Sequence, residues 1–144
     1  LDGKLYAAGG RDEACNLVER YDFAAKAWEA VPPMSSARHN LGVAVLDGKL
    51  YAVGGWNEDN GPLSSVEWYD PAANMWEAAA PMAAARTELA VAALDGKLYA
   101  VGGRNSDGLS SVERYDLATK AWEAVAPMAT ARNCLGVAVL DGKL

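Results

Sequence analysis

The chain has 144 residues, a single domain's worth, and its 19 acidic side chains outnumber 13 Lys and Arg for a net charge of −6. A surface of that sign repels phosphate backbones and anionic headgroups, which argues against nucleic acid and the membrane surface as partners. The longest apolar run, Leu89–Leu94, falls far short of the ~18 residues a membrane helix needs, and no leader-like segment opens the chain at Leu1. Two cysteines, Cys15 and Cys134, stand in different parts of the sequence. They fit reduced thiols in a cytoplasmic setting better than a disulfide framework or a metal cluster.

The chain opens on a phrase that returns. Leu1–Gly10 reads LDGKLYAAGG, Leu46–Gly55 and Leu94–Gly103 both read LDGKLYAVGG, and Leu140–Leu144 begins it a fourth time. The starts at 1, 46, 94 and 140 are 45, 48 and 46 residues apart, within the range of four-stranded propeller blades. Residues 1–144 are therefore read as three repeats with a partial fourth start.

In chain order, Lys4–Ala8 reads as a strand returning from an Asp-Gly hairpin turn, a turn that needs positive φ at both central positions. Next comes a segment of variable length. From the second Gly of each Gly-Gly to the following Tyr is 11, 14 and 12 residues, and a stretch that absorbs every insertion reads as an exposed loop. In the middle repeat, Ser65–Tyr69 alternates side chains, Met75–Ala78 carries Trp76, and Pro71 and Pro81 punctuate the strand ends. Leu89–Leu94 is a short apolar strand, Asp95-Gly96 the hairpin turn and Lys97–Val101 its return. Small residues at alternate positions (Gly42 and Ala44, Ala90 and Ala92, Gly136 and Ala138) place that apolar strand at a crowded axis. Trp28, Trp76 and Trp122 belong to the outermost strand, packing between blades.

The Gly-Gly pair, Tyr21-Asp22, Tyr69-Asp70 and Tyr115-Asp116, the Trp seven residues past each Tyr, and the Pro-Met pairs recur in order across essentially the whole chain. This pattern resembles the Kelch repeat. The resemblance implies an all-β fold, a β-propeller of four-stranded antiparallel blades, commonly six to a ring. Three blades leave exposed flanks. Leu135–Leu140 is expected as an inner strand whose hairpin partner is missing, and Lys4–Ala8 as a second strand lacking its inner neighbour. Two copies exchanging these strands would close a six-bladed homodimer; more chain of the same protein is the rival closure.

The resemblance implies a module that holds a protein or peptide on its channel-mouth face, where variable loops and the lead-in to each inner strand converge. In Kelch peptide receptors an Arg eight positions before the hairpin Leu, and a Ser after it, often face the ligand. Arg38, Arg86 and Arg132 match the Arg; His39, Thr87 and Asn133 stand where Ser is usual. The family's aromatic after Gly-Gly is present only as Trp56, with Arg11 and Arg104 in its place elsewhere. The expected ligand-binding set is Arg11, Arg38, His39, Asn40, Trp56, Asn57, Arg86, Thr87, Glu88, Arg104, Arg132 and Asn133. Guanidinium groups offer paired donors to carboxylates, so an acidic peptide or protein segment is the expected ligand. An Arg repeated in every blade equally fits a structural ion pair. The turn residues Asp47, Asp95 and Asp141, with the repeated Glu19, Glu67, Glu113, Asp22, Asp70 and Asp116, read as blade architecture.

A self-assembling scaffold without a ligand, natural or engineered, is the alternative that near-identical repeats fit. Some Kelch-like propellers are enzymes, and a sugar isomerase or mutarotase-like role for His39 and Glu88 is a second alternative. One His, no P-loop and no zinc spacing point to no catalytic role, no cofactor and no metal.

Overall fold

A computed structural model describes residues 1–11 and 15–143. Residues 12–14 of the first variable loop and Leu144 of the closing LDGKL lie outside the described residues.

Three antiparallel sheets follow one another along the chain. The first holds β1 (Leu5–Ala8), β2 (Val18–Asp22) and β3 (Ala27–Val31). The second holds β4 (Gly42–Leu46), β5 (Lys49–Val53), β8 (Val66–Asp70) and β9 (Met75–Ala79), with a two-residue ribbon, β6 (Trp56–Asn57) and β7 (Gly61–Pro62), in its variable loop. The third holds β10 (Ala90–Leu94), β11 (Lys97–Val101), β12 (Val112–Asp116) and β13 (Ala121–Val125) in that spatial order.

Local chemistry explains these elements. The Asp-Gly pairs form the hairpin turns as the sequence predicts: Asp95 has φ 50° and Gly96 71°, and Asp47 and Gly48 have 49° and 67°. β10 and β11 therefore pair directly from Leu94↔Lys97 to Ala90↔Val101. The outer hairpin is closed by a repeated aspartate. Asp70 Oδ1 accepts the Ala72 and Ala73 N–H groups, and Asp22 and Asp116 do the same one blade either way. The small residues of the inner strands are needed for approach. A Cβ on Gly42 would stand 2.2 Å from Val91 Cγ2, because β4 and β10 lie side by side.

The core lies between sheets. Val18, Val31 and Met34 of the first pack on Leu50, Ala52 and Tyr69 of the second. Tyr51, Val53, Val66 and Met82 pack on Leu98, Ala100 and Tyr115 of the third. Full burial of a Leu such as Leu98 contributes roughly 1.5–3 kcal/mol. Two of the three tryptophans bridge blades as read from the sequence; Trp28 differs, since it is 48 % exposed and, among the described residues, its ring meets only Tyr21 of its own sheet, with no sheet before it to pack on. Trp76 Nε1–H donates to Pro32 O at 2.8 Å and Trp122 Nε1–H to Ala80 O at 2.9 Å.

Leu135–Leu140 differs from expectation. It forms no strand, only a single bridge between Leu140 and Lys143. Its alternation suits an inner strand, but no second strand lies beside it to accept its hydrogen bonds, and a lone extended segment has no ladder.

Candidate functional site

Each inner strand is reached by a crossing segment from the preceding outer strand, and this segment brings candidate residues together with the variable loops at one end of the sheets. His39 and Trp56 exchange backbone hydrogen bonds, His39 N to Trp56 O at 3.0 Å and the reverse at 2.7 Å. Thr87 and Arg104 do the same at 2.9 and 2.8 Å. Each pair fastens a variable loop to the lead-in of the strand beside it. The backbone continues around the axis: Glu88 N donates to Asn40 O and Cys134 N to Glu88 O, both at 2.9 Å. Asn40, Glu88 and Cys134 all have φ between 51° and 56°, the left-handed conformation that turns the chain into the inner strand.

Between the second and third blades this framework encloses a recess of about 370 Å³, lined by Arg11, His39, Asn40, Trp56, Glu58, Thr87, Glu88 and Arg104. Arg11 and Arg104 are exposed, whereas His39 and Thr87 are buried. His39 Nδ1 and Thr87 Oγ1 have no hydrogen-bond partner among the described residues. Among the described residues, Glu58 places a carboxylate oxygen 4.0 Å from the imidazole Nδ1. Glu88 is held as an anion: the hydrogen bond from Asn133 Nδ2, at 2.7 Å, comes first in lowering its pKa, followed by that from Cys134. The same contact with Glu88 raises the Cys134 pKa and keeps it a thiol.

Arg38 and Arg86 correct the expected guanidinium rim. Both are 0 % exposed and their guanidinium groups are buried against the following sheet. Arg38 Nη1 donates to Gly54 O and Ser65 O, and Nη2 to Ser65 Oγ and to Glu67 Oε1 at 2.7 Å. Arg86 repeats this set on Gly102, Ser111 and Glu113, again 2.7 Å from the carboxylate. Glu67 also accepts the Ser35 N–H and hydroxyl and the Ser36 N–H. Burial pushes the Glu67 carboxyl up, but the Ser35 hydrogen bonds and the Arg38 charge outweigh it and leave the pKa lowered. These are buried clamps between a crossing segment and the following sheet. Arg132 is the exception, exposed at the end of the described structure.

The other expected residues divide. Asn57 Nδ2 donates to Ala37 O and its Oδ1 receives the Asp59 and Asn60 N–H groups, so it shapes the loop beside the recess. Asn133 is exposed and bound to Glu88. Glu58 is a recess residue absent from the expected set; it belongs to the longest variable loop, and at the same distance past Gly-Gly the first repeat has Glu13 and the third Ser106. A second cleft of similar volume opens at the hairpin-turn end, between Lys49, Tyr51, Trp68, Glu77, Tyr115 and Lys120. Lys49 Nζ lies 3.7 Å from the centre of the Trp68 ring there. Trp68 replaces the Arg that pairs with Glu29 in blade one, as Arg20, and with Glu123 in blade three, as Arg114.

Sheets of this order, with glycine pairs, bridging tryptophans and crossing segments at one end, define a Kelch-type repeat protein. The family model described as Kelch motif matches residues 1–35, 37–83 and 85–129, and the chain belongs to the Kelch-repeat family. It is similar to the Influenza virus NS1A-binding protein homolog of Xenopus laevis, 44% identical over 66 residues, 44% of this chain and 10% of that one. Kelch-like protein 8 of Caenorhabditis elegans is 43% identical over 56 residues, 37% of this chain and 8% of that one. Kelch-like protein 36 of Bos taurus is 42% identical over 73 residues, 46% of this chain and 12% of that one. The chain thus spans about a tenth of the length of the relatives it matches.

Proposed function

We propose that the chain is a protein-binding Kelch module whose recess at the channel mouth takes a peptide or protein segment. The observation that carries this is the recess itself, lined from three variable loops, two of them already pinned to the inner-strand lead-ins by paired backbone hydrogen bonds. A site organised before binding loses little ordering entropy when a ligand arrives. Trp56 supplies an amphipathic anchor of the kind that dominates protein interfaces. Arg11 and Arg104 are the exposed cations of the recess, and they favour a segment carrying an acidic side chain. Kelch membership supports the class of function, and one relative is named for binding a protein.

A second copy completes the ring in this reading, three blades from each chain. The scaffold alternative differs in needing no ligand, and the near-identity of the repeats favours it. The enzyme alternative is weakened by Glu88, whose lowered pKa and contacts with Asn133 and Cys134 make it a poor proton donor near neutral pH.

The test is binding of an acidic peptide library to the chain and to Trp56→Ala and Arg104→Ala variants. Selected peptides are expected to bind the variants at least tenfold more weakly. Absence of any selected peptide, or binding indifferent to both substitutions, removes the recess as a ligand site and leaves the scaffold.

A further inference from the structure

The clamp that joins each crossing segment to the next sheet is made by Arg38 with Glu67 and by Arg86 with Glu113. The repeat contains a third Arg and a third Glu at the same positions. Arg132 precedes Leu140 by the eight residues that separate Arg38 from Leu46 and Arg86 from Leu94. Glu19 pairs with Ala30 across β2 and β3 just as Glu67 pairs with Ala78 and Glu113 with Ala124. Both are exposed, and among the described residues neither side chain has an ion-pair or hydrogen-bond partner. In the three described sheets they do not meet, because Arg132 leaves the third sheet and Glu19 sits on the first.

The apolar surface is divided in the same way. Leu50 and Leu98 are 5 % and 0 % exposed, each packed on the preceding blade, while their equivalent Leu5 is 56 % exposed. Leu50 packs in the cluster that holds Val18, Val31 and Met34. The equivalents of those three on the last blade, Val112, Val125 and Met128, line an apolar cleft of about 300 Å³. One end of the chain carries the knob and the other end the hole, and likewise one end the carboxylate and the other the guanidinium.

Building on the ring-closure reading above, we infer that a second copy of this chain makes the third clamp: Arg132 binds Glu19 of the partner subunit, with the partner subunit's Leu5 seated in the cleft of Val112, Val125 and Met128. Two-fold symmetry makes the contact twice, once at each seam. The hydrogen bonds follow the internal pattern. Arg132 Nη1 donates to the carbonyls of Gly9 of the partner subunit and Leu17 of the partner subunit, and Nη2 donates to the carboxylate. The Ala129 and Thr130 N–H groups donate to that carboxylate, as Ala83 and Ala84 do to Glu113. Leu17 stands where Ser65 and Ser111 stand, so the seam lacks the hydroxyl bond of the internal clamps.

The test uses the 144-residue chain, Arg132→Glu, Glu19→Arg and an equimolar mixture of the two variants, followed by sedimentation velocity across a concentration series. Circular dichroism checks that each variant keeps its strand signal; both positions are exposed, so the monomer fold does not depend on them. The unaltered chain is expected at about twice the 15.2 kDa monomer mass. Each variant alone faces like charge at both seams, and its dimer dissociation constant is expected to rise at least tenfold. The mixture forms a heterodimer with one native seam and one charge-reversed seam, and its dissociation constant is expected at least threefold below either variant's. An unaltered chain that stays monomeric overturns ring closure itself. An unaltered chain that dimerises while the variants dimerise equally well, or while the mixture is no tighter than its components, overturns the clamp and leaves ring closure standing.

Discussion

Replacing Arg86 by Met keeps most of the side-chain volume and removes the charge at the most buried point of the second crossing segment. The guanidinium is wholly buried and makes four hydrogen bonds, the shortest to Glu113 at 2.7 Å. Without it Glu113 retains only the Ala83 and Ala84 N–H groups, at 2.7 and 3.1 Å, inside a nearly dry interface. Removing one partner of a buried pair costs about 3–5 kcal/mol, chiefly for the charge left behind. Ser111 O keeps the Gly102 N–H as a donor, so that carbonyl adds little, whereas the Gly102 carbonyl loses the donor that Arg86 gave it and adds about 1 kcal/mol. A loss of about 5 kcal/mol in a domain of this length corresponds to a fall in Tm of roughly 10–20 °C. Glu113→Gln, which keeps a carbonyl oxygen for the backbone donors, strands the Arg86 charge instead and is expected to cost a similar amount. In the double variant neither charge remains, so it should be more stable than the summed single losses by about 1–3 kcal/mol. Thermal and urea unfolding followed by circular dichroism measure all three. A Tm drop under about 3 °C for Arg86→Met, or simple additivity in the cycle, would refute the clamp as a buried ion pair.

Three further outcomes follow from particular contacts. Gly48 and Gly54 have similar positive φ, 67° and 61°, but a Cβ on Gly48 meets nothing within 4 Å while one on Gly54 would stand 2.5 Å from Arg86 O. Gly48→Ala should cost about 1–2 kcal/mol from the left-handed backbone alone, and Gly54→Ala clearly more; equal urea midpoints would show that the carbonyl can yield. Glu67 has its pKa lowered in the fold, so its contribution to stability is present above the ordinary Glu value near ~4.3 and is lost as pH falls through the native value. Glu67→Gln should flatten the acid limb of a stability–pH curve, and an unchanged limb would refute that assignment. Tyr51, pushed up to about 12 by burial first and then by Tyr115 and Asp47, favours the neutral phenol. Its contribution is complete below pH ~10 and declines between there and about 12, where ultraviolet titration with a Tyr51→Phe control should show it missing from the early-ionising tyrosines.

Much of the fold was legible because local chemistry and global architecture agree at the same residues. Asp95-Gly96 specifies a turn by its φ values alone, and the alternation on either side fixes the register. Trp76 and Trp122 were legible as blade contacts because a large ring repeated at one position needs one kind of neighbour, whereas Trp28 has no sheet before it and stays exposed. The two buried arginines were not separable from rim residues by spacing. What decides their direction is a glutamate 29 residues on for Arg38 and 27 for Arg86, and the variable loops between blur that interval. Glu58 was not singled out because it sits in the loop whose length varies, where only Glu13 of the first repeat matches it and Ser106 breaks the pattern. Leu135–Leu140 has the pattern of a strand, and pattern cannot supply the neighbour that a ladder requires. The recess emerged where the loops were expected to converge, but its buried His39 and Thr87 owe their position to backbone pairing with Trp56 and Arg104, which no residue type announces.

The phrase that marks each repeat falls at a hairpin turn inside a sheet, between β4 and β5 and between β10 and β11, rather than at the border of one. A whole unit counted from turn to turn contains three strands of one blade and the first strand of its neighbour. Gain or loss of such a unit rejoins one inner strand to another blade's remainder, and every hairpin, clamp and tryptophan bridge is regenerated at the joint. Blade number can therefore change by duplication or deletion without any new kind of contact having to arise, because each crossing segment already carries the side chains that fasten it to the sheet that follows.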